Sequence, residues 1–132
     1  MDDRVVMFSK VPLFSALSQR QVRRILKGTL DYRYEPKKEL VREGDDGETL
    51  FVILEGRARV TRGRRVVARL RAGDFFGEIA VLDRRPRSAS VVADTEVRCV
   101  VLHRDDLRKI LAEEPRIAWS LLGTIAGRIR GN

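Results

Sequence analysis

Cysteine and histidine are almost absent from this chain: Cys99 and His103 each stand alone in 132 residues. A single thiol excludes an intramolecular disulfide and a cysteine metal cluster, and a reducing compartment is its simplest setting. A single histidine supplies neither a zinc-ligand set nor a catalytic relay. Cys99 sits in the alternating run Val97-Arg98-Cys99-Val100-Val101 and reads as core, while His103 lies where a strand hands over to a helix and reads as structural. Residues 1–6 hold no apolar stretch of signal-peptide length, and nowhere do charges stay absent long enough to span a bilayer, which points to a cytoplasmic protein with no membrane partner. No Gly-Lys-Ser/Thr motif is present, and no acid–base pair, metal cluster or nucleophile constellation stands out, so no cofactor and no catalysis are expected.

The chain is long enough for one self-sufficient core and too short for two ordinary domains, so residues 1–132 read as a single module. Its hydrophobic fraction of 43% suits a globular protein, and its 35% of charged residues is mixed in sign. The formal net charge of +8 makes attraction to nucleic acid physically reasonable. The basic residues nevertheless run through strands and turns without an aromatic-interleaved tract, so a solvated surface and no specific nucleic-acid partner are expected. No internal repeat, low-complexity tract or linker is visible.

Ser18-Gln19-Arg20-Gln21 forms a capping-box pattern that starts a helix, with Val22, Ile25 and Leu26 as its apolar stripe and Lys27-Gly28 as a left-handed stop. From Thr29 to Leu102 short β segments are broken by glycine, aspartate and proline, the spacing of a sandwich or barrel. Leu50-Phe51-Val52-Ile53-Leu54 is apolar on both parities and should be covered on both sides. Residues 57–62 and 65–70 read as half-exposed strands joined by a hairpin at Gly63, and residues 88–93 and 95–102 as the last two. After His103 helical periodicity returns: Leu107, Ile110 and Leu111 form one stripe up to Pro115. A second helix carries Ile117, Leu121, Ile125 and Ile129 at fourfold spacing, with Trp119 and Leu122 expected to pack against the barrel.

The most informative stretch runs from Gly73 to Leu82, followed by Arg84 to Val91. Gly77 opens a short helical turn whose first amides lack internal partners and suit an anion. Nine residues beyond Glu78, Arg87 shares parity with Ala89, Val91 and Ala93, so its guanidinium should start on the inward face. An inward arginine needs an anion, and arginine grips a phosphate with parallel hydrogen bonds. Glu78 accepts only from a donor such as a sugar hydroxyl, so the pair suggests a nucleotide.

The block Phe76-Gly77-Glu78-Ile79-Ala80-Val81-Leu82, a short spacer, then Pro86-Arg87-Ser88-Ala89-Ser90-Val91, resembles the phosphate-binding cassette of the cyclic nucleotide-binding domain family. Residues 11–18, 42–45 and 50–56 resemble its opening and its glycine-punctuated strand pair, so the resemblance covers roughly residues 10–130. It implies a mainly β fold with flanking helices: an antiparallel β-roll or jelly-roll barrel with one N-terminal helix, a short cassette helix and two C-terminal helices. It also assigns the amides of Gly77, Glu78, Ile79 and Ala80 and the side chain of Arg87 to the cyclic phosphate, and Glu78 to the ribose 2′-hydroxyl. Ser88 would add a hydroxyl or amide, and Ala89 is small where the ligand approaches. Phe76 belongs to the cassette although its ring reads as core. Arg128 and Ile129 are the candidates to cap the purine on a final helix that is short in this sequence. The ligand implied is cyclic AMP in preference to cyclic GMP, although Ser88 alone does not settle the base. No effector region follows, so the chain reads as a stand-alone sensor whose C-terminal helices relay occupancy to a protein partner or a second copy. The other reading is a ligand-free, degenerate domain serving as an interaction scaffold.

Overall fold

The computed structural model describes residues 3–131. Eight antiparallel strands form two four-stranded sheets: β1 (Leu30–Tyr34), β8 (Val97–His103), β3 (Thr49–Glu55) and β6 (Phe75–Phe76) in that order, and β2 (Glu39–Val41), β7 (Ser90–Ala93), β4 (Arg57–Arg62) and β5 (Arg65–Arg71). The helices are α1 (Asp3–Ser9), α2 (Gln19–Leu26), α3 (Glu78–Asp83), α4 (Arg104–Glu113) and α5 (Pro115–Ile129), with a 3-10 turn at Pro12–Phe14. This is the mainly β roll with flanking helices that the sequence implies, with one N-terminal helix more than expected. None of the described helices is long and apolar enough to cross a membrane.

The double-sided apolar run in β3 is the hinge of the packing. Leu50, Val52 and Leu54 face the helices and join Phe8, Phe14, Leu107, Ile117 and Leu121 in one core, while Phe51 and Ile53 face into the roll with Leu70, Val91, Ala93 and Cys99. Strand β8 repeats the pattern, sending Val100 and Leu102 to the helices and Val97, Cys99 and Val101 inward. A strand covered on both faces loses its alternation, which is why neither β3 nor β8 reads as amphipathic. On the helix-facing parity of β8, Arg98 is the exception: it is buried beneath α1, 2.8 Å from Asp3 and 3.0 Å from Asp31. Hydrogen bonds to these two carboxylates push its pKa further up, so the charge is permanent and α1 is fastened to the sheet by it.

Ser18 caps α2 through both bonds of the box, its side chain accepting from Gln21 N (3.2 Å) while Gln21 Oε1 accepts from Ser18 N (2.8 Å). The same Gln21 amide donates to Glu114 at 2.5 Å and so ties α2 to the junction of α4 and α5. Gly28 does not take the left-handed conformation expected of it; the chain leaves α2 through Thr29, whose hydroxyl donates back to Leu26 O at 2.8 Å. His103 Nδ1 accepts from Asp105 N (3.2 Å) and caps α4, and Pro115 opens α5, where its missing N–H costs nothing.

Trp119 and Leu122 do not pack on the roll: they are 79% and 57% exposed, and Ile129 is 81% exposed. The cause is rotational. Residues four apart advance about 40° around a helix of 3.6 residues per turn, so a fourfold series that begins inward at Ile117 has turned by roughly 120° at its fourth member. Ile117 and Leu121 are buried and Ile125 packs beside them, whereas Ile129 has left the contact face.

Candidate functional site

The cassette begins with β6, whose two residues pair with β3 (Phe51 opposite Phe76) and stack Phe76 on Phe51 with ring centroids 4.7 Å apart. Gly77 then turns the chain at φ 93°, a conformation that favours glycine, into α3. Space allows no alternative there either: a Cβ on Gly77 would lie 2.7 Å from Thr49 O and 2.8 Å from Arg87 Nη1. The first intrahelical bond is Val81 N to Gly77 O at 3.3 Å, so the amides of Glu78, Ile79 and Ala80 precede it without helical acceptors.

Arg87 is 6% exposed. Its Nη1 donates to Gly77 O (3.1 Å), its Nη2 donates to Thr49 Oγ1 (3.0 Å), and its guanidinium carbon stands 5.9 Å from the centre of the Phe51 ring. Among the described residues no carboxylate forms an ion pair with it within 4.0 Å. Burial pulls its pKa below the usual arginine value, and nearby Glu78 opposes that pull only in part. The guanidinium is therefore a desolvated cation held by neutral acceptors, a state that an anion would relieve.

Arg87 forms part of the wall of a hollow of about 460 Å³, within the usual range for small-ligand sites. The remaining wall comes from β2 (Glu39, Leu40, Val41), from the loop that carries Arg42, Asp45, Asp46 and Gly47, and from Thr49 and Phe51. The loop is laced to the arginine's own backbone, with Arg87 N donating to Asp45 O (2.8 Å) and Gly44 N donating to Arg87 O (2.9 Å). Gly47 is where the loop passes the guanidinium, since a Cβ there would meet Arg87 Nε at 2.1 Å. Glu39, Asp45 and Asp46 add negative charge to the lining, and its second cation, Arg42, is paired with Glu39 at 2.6 Å, so the attraction for an anion is concentrated at Arg87.

Of the residues expected at the site, Arg87 alone lines this hollow directly. Gly77 touches Arg87 through its carbonyl, and Phe76 stands one layer back behind Phe51. Ala80 is buried, Ala89 is half-buried, and the side chains of Ile79 and Ser88 lie at the surface. Glu78 is 3% exposed and forms an ion pair with Arg128 of α5. Arg128 also donates to Phe75 O at 2.7 Å, with its guanidinium carbon 4.7 Å from the centre of the Phe75 ring. In this structure, then, Arg128 holds the cassette carboxylate, and Ile129 is exposed beside it in sequence. A second arginine reaches the cassette from the start of α4: Arg104 Nε donates to Val81 O at 2.8 Å.

Gly47, Thr49, Phe51 and Arg104 were not foreseen as site residues. For Gly47 the only signal was its place in a glycine- and aspartate-rich turn; for Thr49 and Phe51 it was a strand start whose parity matches the inward face. Arg104 carries no signal, because its role depends on where two distant elements meet.

A β-roll in which one desolvated arginine faces a solvent-open hollow beside an amide-rich helical turn defines an anion-binding module. The chain belongs to the cyclic nucleotide-binding domain family: a family model described as "Cyclic nucleotide-binding domain" matches residues 32–114. It is 35% identical over 103 residues to the cGMP-dependent protein kinase of Toxoplasma gondii, covering 78% of this chain and 10% of that protein. It is 37% identical over 93 residues to the CRP-like cAMP-activated global transcriptional regulator of Mycobacterium tuberculosis, covering 67% of this chain and 42% of the relative. The chain thus spans less than half the length of either relative. Among solved structures, a cyclic nucleotide-binding domain from Methylobacillus flagellatus superposes with a TM-score of 0.81 at 30% identity, over 98% of this chain and 78% of that one.

Proposed function

We propose that this domain binds a cyclic nucleoside monophosphate, cyclic AMP in preference to cyclic GMP, and that α4 and α5 relay occupancy to a protein partner. The observation that carries the reading is Arg87, buried and without a carboxylate, on the wall of a nucleotide-sized hollow. A cyclic monoester brings one negative charge, which one guanidinium and the amides of Gly77 to Ala80 neutralise. A polyphosphate would carry its further charges toward Glu39, Asp45 and Asp46, so the lining favours a monoanion. In this reading Glu78 accepts from the ribose 2′-hydroxyl, and Arg128, which is bonded to Glu78, and Ile129 are the candidates to cap the base.

The relay is supported by the two arginines that grip the cassette: Arg104 on Val81 O, and Arg128 on Glu78 and Phe75 O. A ribose hydroxyl at Glu78 shares the carboxylate that holds α5, which gives the ligand different contacts in two helix positions, the requirement for any shift between them. The surface the partner would read is the outer side of α5, where Trp119, Leu122 and Ile129 lie exposed.

Calorimetric titration with cyclic AMP and cyclic GMP tests the proposal. One-to-one heat with both and tighter binding of cyclic AMP is expected. Absence of heat and of any thermal shift with either nucleotide overturns the ligand reading in favour of an interaction scaffold.

A further inference from the structure

The net charge of the chain has a location. Residues 57–71, the hairpin of β4 and β5, hold seven of the 27 basic residues and none of the 19 acidic ones, so the rest of the molecule is close to neutral. The expectation of scattered charge fails because pairing of the two strands brings those residues together: Arg57 lies directly opposite Arg71, Arg59 opposite Arg69 and Arg62 opposite Arg65. Like charges directly opposed across an antiparallel pair are destabilising, so the arrangement needs an explanation. Asp94 meets Arg59 and Arg69, and Arg62 Nε donates to Ser88 O at 3.3 Å. The side chains of Arg57, Arg64, Arg65 and Arg71 make no ion pair or hydrogen bond among the described residues.

The second observation is independent of charge. Strand β5 ends its sheet, seven residues long and paired on one side only, with a bulge at Val67, which has no partner in β4, and with Val66 and Val67 46% and 42% exposed beside the arginines. An open edge of that length is a template for another strand. Charge on an edge strand by itself guards against such pairing, but protection calls for charge on β5 alone, and here the interior neighbour β4 is equally basic.

We propose that the β5 edge is a docking site for an acidic, extended peptide segment, which adds to the sheet as a fifth strand. Alternate residues of a strand recur about every 6.8 Å on one face, so a segment that alternates acidic and apolar residues sets its carboxylates beside Arg69 and Arg71, which share a face, while the register shift at Val60 and Thr61 turns Arg65 to the other face. The partner's main chain satisfies the open N–H and C=O groups of β5, and its carboxylates relieve the repulsion within the arginine rows. This recognition uses the opposite sheet from α5 and does not require the nucleotide.

The test is fluorescence anisotropy of a labelled eight-residue peptide of alternating Glu and Val, titrated with the whole chain at moderate salt. Saturable binding is expected, and it should weaken at least tenfold when the amides on one edge of the peptide are N-methylated, a change that keeps every charge and blocks strand pairing. Arg69→Glu with Arg71→Glu should produce a comparable loss while the circular dichroism spectrum is retained. Equal affinity for the N-methylated peptide overturns the proposal in favour of charge attraction alone. Retention on duplex DNA or on anionic phosphatidylserine vesicles without peptide binding overturns it in favour of a different partner.

Discussion

Replacing Arg87 with alanine should separate ligand binding from fold stability. The guanidinium is buried, its two hydrogen bonds go to the neutral acceptors Gly77 O and Thr49 Oγ1, and desolvation lowers its pKa. Truncating one member of a buried charge pair costs about 2–5 kcal/mol, so nucleotide affinity should fall by roughly 30- to 5,000-fold. The ligand-free protein has no such pair to lose. Two hydrogen bonds from a charged donor, about 1.5–3 kcal/mol each, are removed together with a desolvation cost of several kcal/mol, so the two effects largely cancel. The melting temperature of the ligand-free variant should therefore stay within roughly 4 °C of the parent, about 1 kcal/mol in a domain of this size. At a ligand concentration of about 100 Kd the parent gains about 2.7 kcal/mol, a rise on the order of 10 °C that the variant should lack. Differential scanning fluorimetry with and without cyclic AMP reads both quantities in one experiment. A variant that melts far below the parent yet keeps its nucleotide-induced rise would refute the reasoning, because Arg87 would then be a structural residue.

Glu78→Ala should weaken cyclic AMP binding by about 1–3 kcal/mol and erase the preference for the ribose over the 2′-deoxyribose nucleotide, measured by parallel titrations. Gly47→Ala should displace the guanidinium, since the new Cβ would meet Arg87 Nε at 2.1 Å; affinity falls at least tenfold while the circular dichroism spectrum is unchanged. Burial pushes the Cys99 thiol up to about 12, with a smaller contribution from Asp31, so the folded protein keeps its proton where the unfolded chain has lost it. The unfolded state then binds fewer protons, and stability falls as pH rises from about 9 toward 12, by at most about 1.4 kcal/mol per pH unit from this group. Urea midpoints at pH 8 and pH 10 should show the decline, and Cys99→Val should reduce it.

Local signals in the chain were legible where one segment decides the outcome. Ser18 and Gln21 announce their own helix, Gly63 its hairpin, and the double-sided run at Leu50 to Leu54 its burial, because propensity and packing agree there. The cassette could be read for the same reason: a turn glycine, a carboxylate and an arginine lie within a dozen residues. Partners contributed from a distance could not be read. The ion pair of Glu78 with Arg128, the reach of Arg104 to Val81 O, and the burial of Arg98 against Asp3 and Asp31 all depend on which elements meet, and pattern alone does not encode that. The outward rotation of Trp119 and Leu122 was missed because a broad apolar helix face leaves its own azimuth undetermined. The arginine rows were missed because register, rather than composition, sets them opposite one another.

The most direct measurement of the central claim is a crystal structure of the domain soaked with cyclic AMP. The cyclic phosphate should lie at hydrogen-bonding distance from the Arg87 guanidinium and the amides that open α3, with the ribose hydroxyl on Glu78. A nucleotide bound elsewhere, or a phosphate that leaves Arg87 facing only Gly77 O and Thr49 Oγ1, would contradict it.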